Sequence, residues 1–256
     1  MSILFSNEIL DSVKRELKNA LSSVQIITAY CKESSFMRLN NYINDEVKEK
    51  RLLVRFRMDD ILKGSTDFAI IECGIETGWQ IYIRFDLHAK TYVVDNKRGL
   101  VGSANTTNSG LNIGKNRNME IATLVDIEPK DIEKINKLFD DAILVDDALL
   151  RKLKSQIDVV GANGQQKKYS WDASIITMFN PHIDTLFSYE LPEDFKLTNG
   201  EYISFLDEIY NGDIGKLKES FRWSNVYLWL LTTLKENNRC LYFGALAEKL
   251  HNALVS

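Results

Sequence analysis

The chain has 256 residues, 45% of them hydrophobic and 27% charged, with a formal net charge of -4. That is ordinary globular composition, enough for one large domain or for one domain with a smaller companion. Three prolines and 13 glycines argue against low-complexity stretches, no apolar run approaches the roughly 20 residues of a membrane span, and the first ten residues lack the basic and apolar regions of a secretory signal. Cys31, Cys73 and Cys240 are odd in number and far apart, which suits reduced thiols in a cytoplasmic protein better than a disulfide framework or a zinc site. The acidic balance counts against indiscriminate nucleic-acid binding, although a basic cleft is compatible with it, because local potential and net charge are separate quantities.

In chain order, Ile9, Leu10, Val13, Leu17, Ala20 and Leu21 predict an amphipathic helix over 7–21. A β-branched strand follows at 24–29, a helix at 36–47, a buried strand at 52–56, a helix at 68–76 that stops at Gly78, and an alternating strand at 79–85. Strands alternating with helices imply an α/β fold: a mixed β-sheet flanked by helices on both faces. Lys90–Val94 and Gly99–Val101 form a tight hairpin around the turn residues 95–98. A strand is expected at 119–125, a helix opened by Pro129 and running to about Leu144, and another helix at 146–157. The polar, glycine-rich residues 161–168 are the expected linker between a domain at 1–160 and a smaller, mainly helical domain at 169–256. In that second part helices are expected at 201–210, 221–234 and 242–254, and 9 Lys and Arg stand against 12 Asp and Glu in residues 161–256.

The chemistry concentrates in His88-Ala89-Lys90, four residues, Asp95, six residues, then Gly102-Ser103-Ala104-Asn105. Reading His88 and Lys90 as two apart on one strand puts both side chains on one face. A neutral imidazole can attack phosphorus, and an ammonium beside it can hold the non-bridging oxygens. Gly102 permits close backbone approach, and the Ser103 hydroxyl and Asn105 amide can donate hydrogen bonds to the same oxygens. Nucleophile, cation and neutral donors together meet the needs of phosphoryl transfer without a metal clamp.

These six identities at fixed spacing would arise by chance about once in 10^5 to 10^6 chains of this length, so the string is specific where a lone His-x-Lys is not. It resembles the HKD motif of the phospholipase D superfamily with its Gly-Ser-x-Asn extension. Asn118-Met119-Glu120 is similar to the Asn-x-Glu of the family's nuclease branch, and the resemblance covers about residues 5–145. It implies a phospholipase D-like fold, His88 as a nucleophile forming a phosphohistidine, phosphate binding by Lys90, Ser103 and Asn105, and a Glu120 carboxylate that orients His88. Asp95 is expected to brace the turn and Gly102 to support the loop.

The chain departs from two-motif members. It has three histidines, and neither His182 nor His251 has a lysine two residues later. The family's alternative is a homodimer sharing one site about a two-fold axis, and it is expected here, with no cofactor and no metal. Arg55, Arg57, Arg84, Lys97, Arg98, Lys115 and Arg117 are candidate phosphate-backbone contacts; Arg84, Lys115 and Arg117 flank the motif and are preferred. Trp223, Tyr227 and Trp229 read as core rather than base-stacking residues. The expected activity is a metal-independent phosphodiesterase, a DNA endonuclease of restriction or defence type, with DNA ahead of RNA. The alternatives are a phospholipase or phosphatidyltransferase and a catalytically inactive nucleic-acid-binding module.

Overall fold

The computed structural model describes residues 3–115, 117–163, 170–179, 182–192, 198–206 and 208–255. The chain divides into two units, Met1–Phe179 and Asn180–Ser256. The first runs β1 (Ile3–Phe5), α1 (Ser6–Lys18), β2 (Ser23–Thr28), α2 (Glu33–Asn40), β3 (Glu49–Arg55), α3 (Met58–Leu62), α4 (Ile70–Glu76), β4 (Gln80–Arg84), β5 (Lys90–Val94), β6 (Arg98–Gly102), β7 (Ile121–Asp126), α5 (Pro129–Asp140), β8 (Ile143–Leu144), α6 (Asp147–Asn163) and α7 (Ala173–Ile176).

Eight of these strands form one mixed sheet in the order β1-β7-β6-β5-β2-β3-β4-β8. Strands β2, β3 and β4 are parallel to one another, and the remaining pairings are antiparallel. All six residues of β2 are buried, as expected of a central strand covered on both faces. On one face Ile27, Leu53 and Tyr82 share a cross-strand row and pack with Phe139 of α5, whose ring meets Tyr82 edge-on at 5.1 Å. On the other, Val13 and Leu17 of α1 lie beside Tyr92 and Val94, and α2 and α4 meet over Ile81, near which both Gly74 and Phe36 lie.

Several boundaries depart from the sequence expectation for local reasons. The helix opened by Pro129 ends at Asp140, because Ile143 and Leu144 pair with β4 as an edge strand. The helix expected at 36–47 ends at Asn40, and α3 was not foreseen. Helix α6 runs on through residues 161–163 of the expected linker; its remaining residues 164–168 lie outside the described residues. Beyond them, Trp171 is buried in the first unit, stacked on Phe56 with centroids 5.8 Å apart and donating its indole N–H to the Phe56 carbonyl at 2.6 Å.

The second unit contains β9 (Leu186–Phe187), β10 (Tyr202–Ile203), β11 (Glu208–Ile209), α8 (Ile214–Arg222), α9 (Asn225–Glu236), α10 (Phe243–Ala253) and β12 (Leu254–Val255). Its core gathers Leu186, Trp229 and Ala253 with Leu230, Leu246 and Leu250 around them. The helix expected at 201–210 is instead a small antiparallel pair, Tyr202 opposite Ile209, set between glycines 200 and 212 at φ 91° and 82°. A ten-residue apolar pattern does not separate the two periods. The helix expected at 221–234 is broken at Ser224, whose hydroxyl caps α9 through the Tyr227 N–H.

Candidate active site

The site follows from how the chain moves from β4 to β5. These strands are not neighbours: β3 and β2 lie between them. Residues 85–89 therefore cross the ends of the parallel strands, the edge where α/β sheets bind ligands. Phe85 and Leu87 are buried, Leu87 beside Ile27, Leu53 and Phe139. Asp86 and His88 are consequently turned outward and exposed. His88 thus stands just before β5, not within it as expected from sequence, and the crossing explains its position better than strand alternation does.

The His88 imidazole makes no hydrogen bond to any described residue, while the His88 carbonyl accepts from the Lys90 ammonium at 2.6 Å. The Lys90 charge, then burial, then Arg55 and Arg57 hold the imidazole below its ordinary value of 6.5. Burial and then Arg55 likewise push the Lys90 ammonium down. The electrostatics of this corner therefore favour a neutral, unprotonated imidazole at near-neutral pH.

The Gly-Ser-x-Asn segment leaves β6 at the same edge. Gly102 is demanded by β7: a Cβ there would lie 2.4 Å from the Ile121 carbonyl oxygen and 2.6 Å from the Ala122 Cα. The buried Tyr92 hydroxyl holds the next residues, donating to the Ala104 carbonyl at 3.1 Å and meeting the Thr106 hydroxyl at 3.1 Å. Asn105 has its side-chain oxygen occupied by the Tyr30 N–H at 3.0 Å and the Thr28 hydroxyl at 3.4 Å. Its amide nitrogen is left as the outward donor. Thr28 is opposite Lys90 in the sheet, so Lys90 and Asn105 meet the same strand end. Thr28 and Tyr30 carried no signal of their own in the sequence.

Within one chain Glu120 meets partners other than the histidine that the resemblance implied. It is buried, accepting the Ser103 hydroxyl on one oxygen and the Asn118 amide on the other, the latter at 3.0 Å. Within one chain no hydrogen bond joins it to His88, and the Ser103 hydroxyl also receives the Ile121 N–H at 3.1 Å. Glu120 therefore orients Ser103 here, and the Ser6 hydroxyl at the start of α1 ties residues 118–120 in place.

Asp95 sits at the far end of β5, roughly 16 Å from the His88 end at strand rise. Its carboxylate accepts the N–H groups of Leu21, Ser22 and Ser23 and the Ser22 hydroxyl, at 2.7 to 3.1 Å. Asp95 and Asn96 both have positive φ, 53° and 52°, in a turn closed by the Lys97 N–H on the Val94 carbonyl at 3.0 Å. This is a type I′ geometry. Lys97 and Arg98 share that remote end, and Arg98 pairs with Asp126 and Glu16.

Arg84 requires a correction as a nucleic-acid contact. It is 7% exposed, forked onto Asp86 with both contacts at 2.9 Å and bonded to the Leu138 carbonyl at 3.1 Å. With three of its five donors spent and the guanidinium buried, it is not presented to a phosphate. Lys115 and Arg117 are exposed in the segment leading to Glu120. His182 is engaged by Asp184 and Glu236 within the second unit. Among the described residues no cluster of three His, Cys, Asp or Glu could hold a metal ion, and no helix is long and apolar enough to cross a membrane.

A family model described as "Cardiolipin synthase, PLD-like domain" matches residues 13–143, just over half of the chain. NucT from Helicobacter pylori aligns with TM-score 0.44 at 15% identity, over 56% of this chain and 98% of that one. The phospholipase D family member Nuc from Salmonella typhimurium aligns with TM-score 0.44 at 18% identity, over 56% and 96%. Phosphatidylserine synthase from Haemophilus influenzae aligns with TM-score 0.46 at 15% identity, over 67% and 45%. No curated protein matches the sequence significantly.

Proposed function

Because the chain belongs to the phospholipase D superfamily, we propose that it is a metal-independent phosphodiesterase acting on nucleic acid, a DNA endonuclease of restriction or defence type in the cytoplasm. The observation that carries this reading is the His88 imidazole: exposed, without a hydrogen bond to any described residue, and kept neutral by the cations around it. A ring nitrogen attacks phosphorus, the N–P bond forms and the P–O bond to the leaving oxygen breaks. Lys90 and the Asn105 amide hold the non-bridging oxygens as charge builds on them, and the Ser103 hydroxyl joins them by turning its one proton from Glu120 to the phosphate. Water then attacks the phosphohistidine, releasing the imidazole.

The leaving oxygen needs a proton, and then water needs a base. His88 of the partner subunit is proposed to serve both, in a two-fold homodimer. An apolar strip supports this. Ile3, Phe5, Val101 and Ile121 share one sheet face by register and are 42% to 67% exposed. They continue the row that α5 covers only over β2, β3 and β4, and Ile121 bonds directly to Ser103. A second copy seated there covers apolar surface and brings its own site to this one.

Exposed Lys115 and Arg117 support a polyanionic substrate. The description of the matching family model supplies a second reading, a lipid phosphodiesterase. Plasmid DNA and phosphatidylglycerol vesicles incubated in EDTA with the protein and with His88→Ala decide between them. DNA cleavage by the unaltered chain alone, with an acid-labile phosphorylated histidine, is expected. Turnover of lipid alone selects the second reading, and neither turnover overturns both. Sedimentation of Phe5→Glu/Ile121→Glu, expected to be monomeric, tests the shared site.

A further inference from the structure

Two arginines stand beside the nucleophile, and they are held differently. Arg55, the last residue of β3, has its Nε and one terminal amino group engaged. Its fork meets both oxygens of Asp60 at 2.8 and 3.0 Å, it donates to the Tyr30 hydroxyl at 2.6 Å, and it stacks on that ring at 4.6 Å. Since the Tyr30 N–H fixes Asn105, Arg55 acts as a strut for the phosphate-binding segment.

Arg57 is exposed and anchored by a single hydrogen bond, from Nε to the carbonyl of Phe85, three residues before His88 on the crossing segment. No carboxylate of a described residue lies within ion-pairing distance of it. Its two terminal amino groups, four N–H donors, make no hydrogen bond to a described residue. Although the residue as a whole is exposed, desolvation of its guanidinium, and then the charge of Arg55, press its pKa down against the opposing pull of Asp60 and Asp86. Together with Lys90 it leaves a local positive excess, because Asp60 is already taken by Arg55. Such an arrangement is relieved by a bound anion.

We propose that Arg57 binds a second phosphate of the substrate, the one adjacent to the phosphate attacked by His88, so that the site takes a polynucleotide strand rather than an isolated phosphodiester. The two arginines divide the labour: Arg55 positions Asn105, and Arg57 reads the continuation of the backbone. A planar fork with a free edge suits bidentate contact with a phosphate. This deepens the nuclease reading and rests on it for the identity of the attacked phosphate.

The experiment separates the two claims. Binding of a fluorescent single-stranded oligonucleotide is measured by anisotropy in the His88→Ala background, with Arg57→Gln and Arg57→Lys added. Loss of one charge-assisted phosphate contact is expected to weaken binding about tenfold and to flatten the plot of log affinity against log salt by about 0.7. Lysine, which keeps the charge, restores most of both. With His88 intact, and at a pH well above 6.5 so that the imidazole is neutral with or without Arg57, Arg57→Gln is expected to raise KM on the oligonucleotide by a larger factor than on bis(4-nitrophenyl) phosphate, which has one phosphodiester. Unchanged oligonucleotide affinity and salt slope overturn the proposal, as does an equal loss on both substrates, which would place Arg57 on the attacked phosphate itself. If the unaltered chain cleaves neither substrate, the phosphodiesterase reading fails, and the anisotropy result still decides the role of Arg57.

Discussion

Asp95 is the motif residue whose replacement separates scaffold from chemistry. Asp95→Ala removes the acceptor of three main-chain N–H groups and one hydroxyl. Leu21 and Ser22 are exposed, so their N–H groups rehydrate and each lost bond costs about 0.5–1 kcal/mol. Ser23 is buried, and its orphaned N–H costs about 1–2 kcal/mol. Alanine at φ 53° adds about 1 kcal/mol, where Asp is tolerated. The sum is about 3–5 kcal/mol, which lowers the melting temperature by roughly 10 °C in a chain of this size. Asp95→Asn keeps one oxygen and the tolerance for positive φ, so about 1–2 kcal/mol is lost.

Burial alone would raise the Asp95 pKa, but the N–H groups of Ser23, Ser22 and Leu21 outweigh it and hold the carboxyl below 3.8. A depressed folded-state value contributes stability above the unfolded pKa and loses it as pH falls through the folded one. The gap between the unaltered chain and Asp95→Ala should therefore be full at pH 7 and narrow progressively below pH 3.8, leaving the part due to alanine at positive φ. Calorimetry across that range, with cleavage assayed at a temperature where both chains are folded, checks it. A normal melting temperature with abolished cleavage would refute the assignment of Asp95 to the turn.

The His88 ring should titrate below 6.5 in NMR spectra, with Lys90→Met moving the midpoint upward; a midpoint at or above 6.5 in the unaltered chain contradicts the electrostatics described. Gly102→Ala forces a methyl against the backbone of Ile121 and Ala122, and is expected to lower the urea stability by about 1–3 kcal/mol; an unchanged midpoint would mean that β6 and β7 are not so close. Trp171→Ala removes the ring stacked on Phe56 and is expected to cost about 3–5 kcal/mol, whereas a loss under 1 kcal/mol would detach residues 171–179 from the first unit.

The site could be read from the sequence where a side chain's identity alone is diagnostic. His88, Lys90, Ser103 and Asn105 stood out as candidates because residue type and spacing are themselves the signal, and the α/β order followed from alternating periodicities. Their surroundings were hidden, because orientation depends on contacts distant in the chain. Tyr30 reaches Asn105 across 75 residues, and Ser6 reaches Glu120 across 114. Arg84 looked available beside the motif, but it is spent on Asp86 and Leu138; Arg57, a candidate ranked below it because it lies farther from the motif in sequence, is anchored to the segment that carries His88. The strand at 143–144 was missed because two residues are too few to show any period.

The passage from β4 to β5 also has a mechanical meaning. Six Cα steps from Arg84 to Lys90 give roughly 20 Å of reach, and three strand spacings take up roughly 14 Å of it. The tether is short enough that Leu87, plugged into its pocket, leaves His88 little room to wander. Two residues fewer would pull it taut and unseat Leu87, and two more would let the imidazole swing loose. This stretch should therefore resist insertions and deletions even where its individual residues could be exchanged.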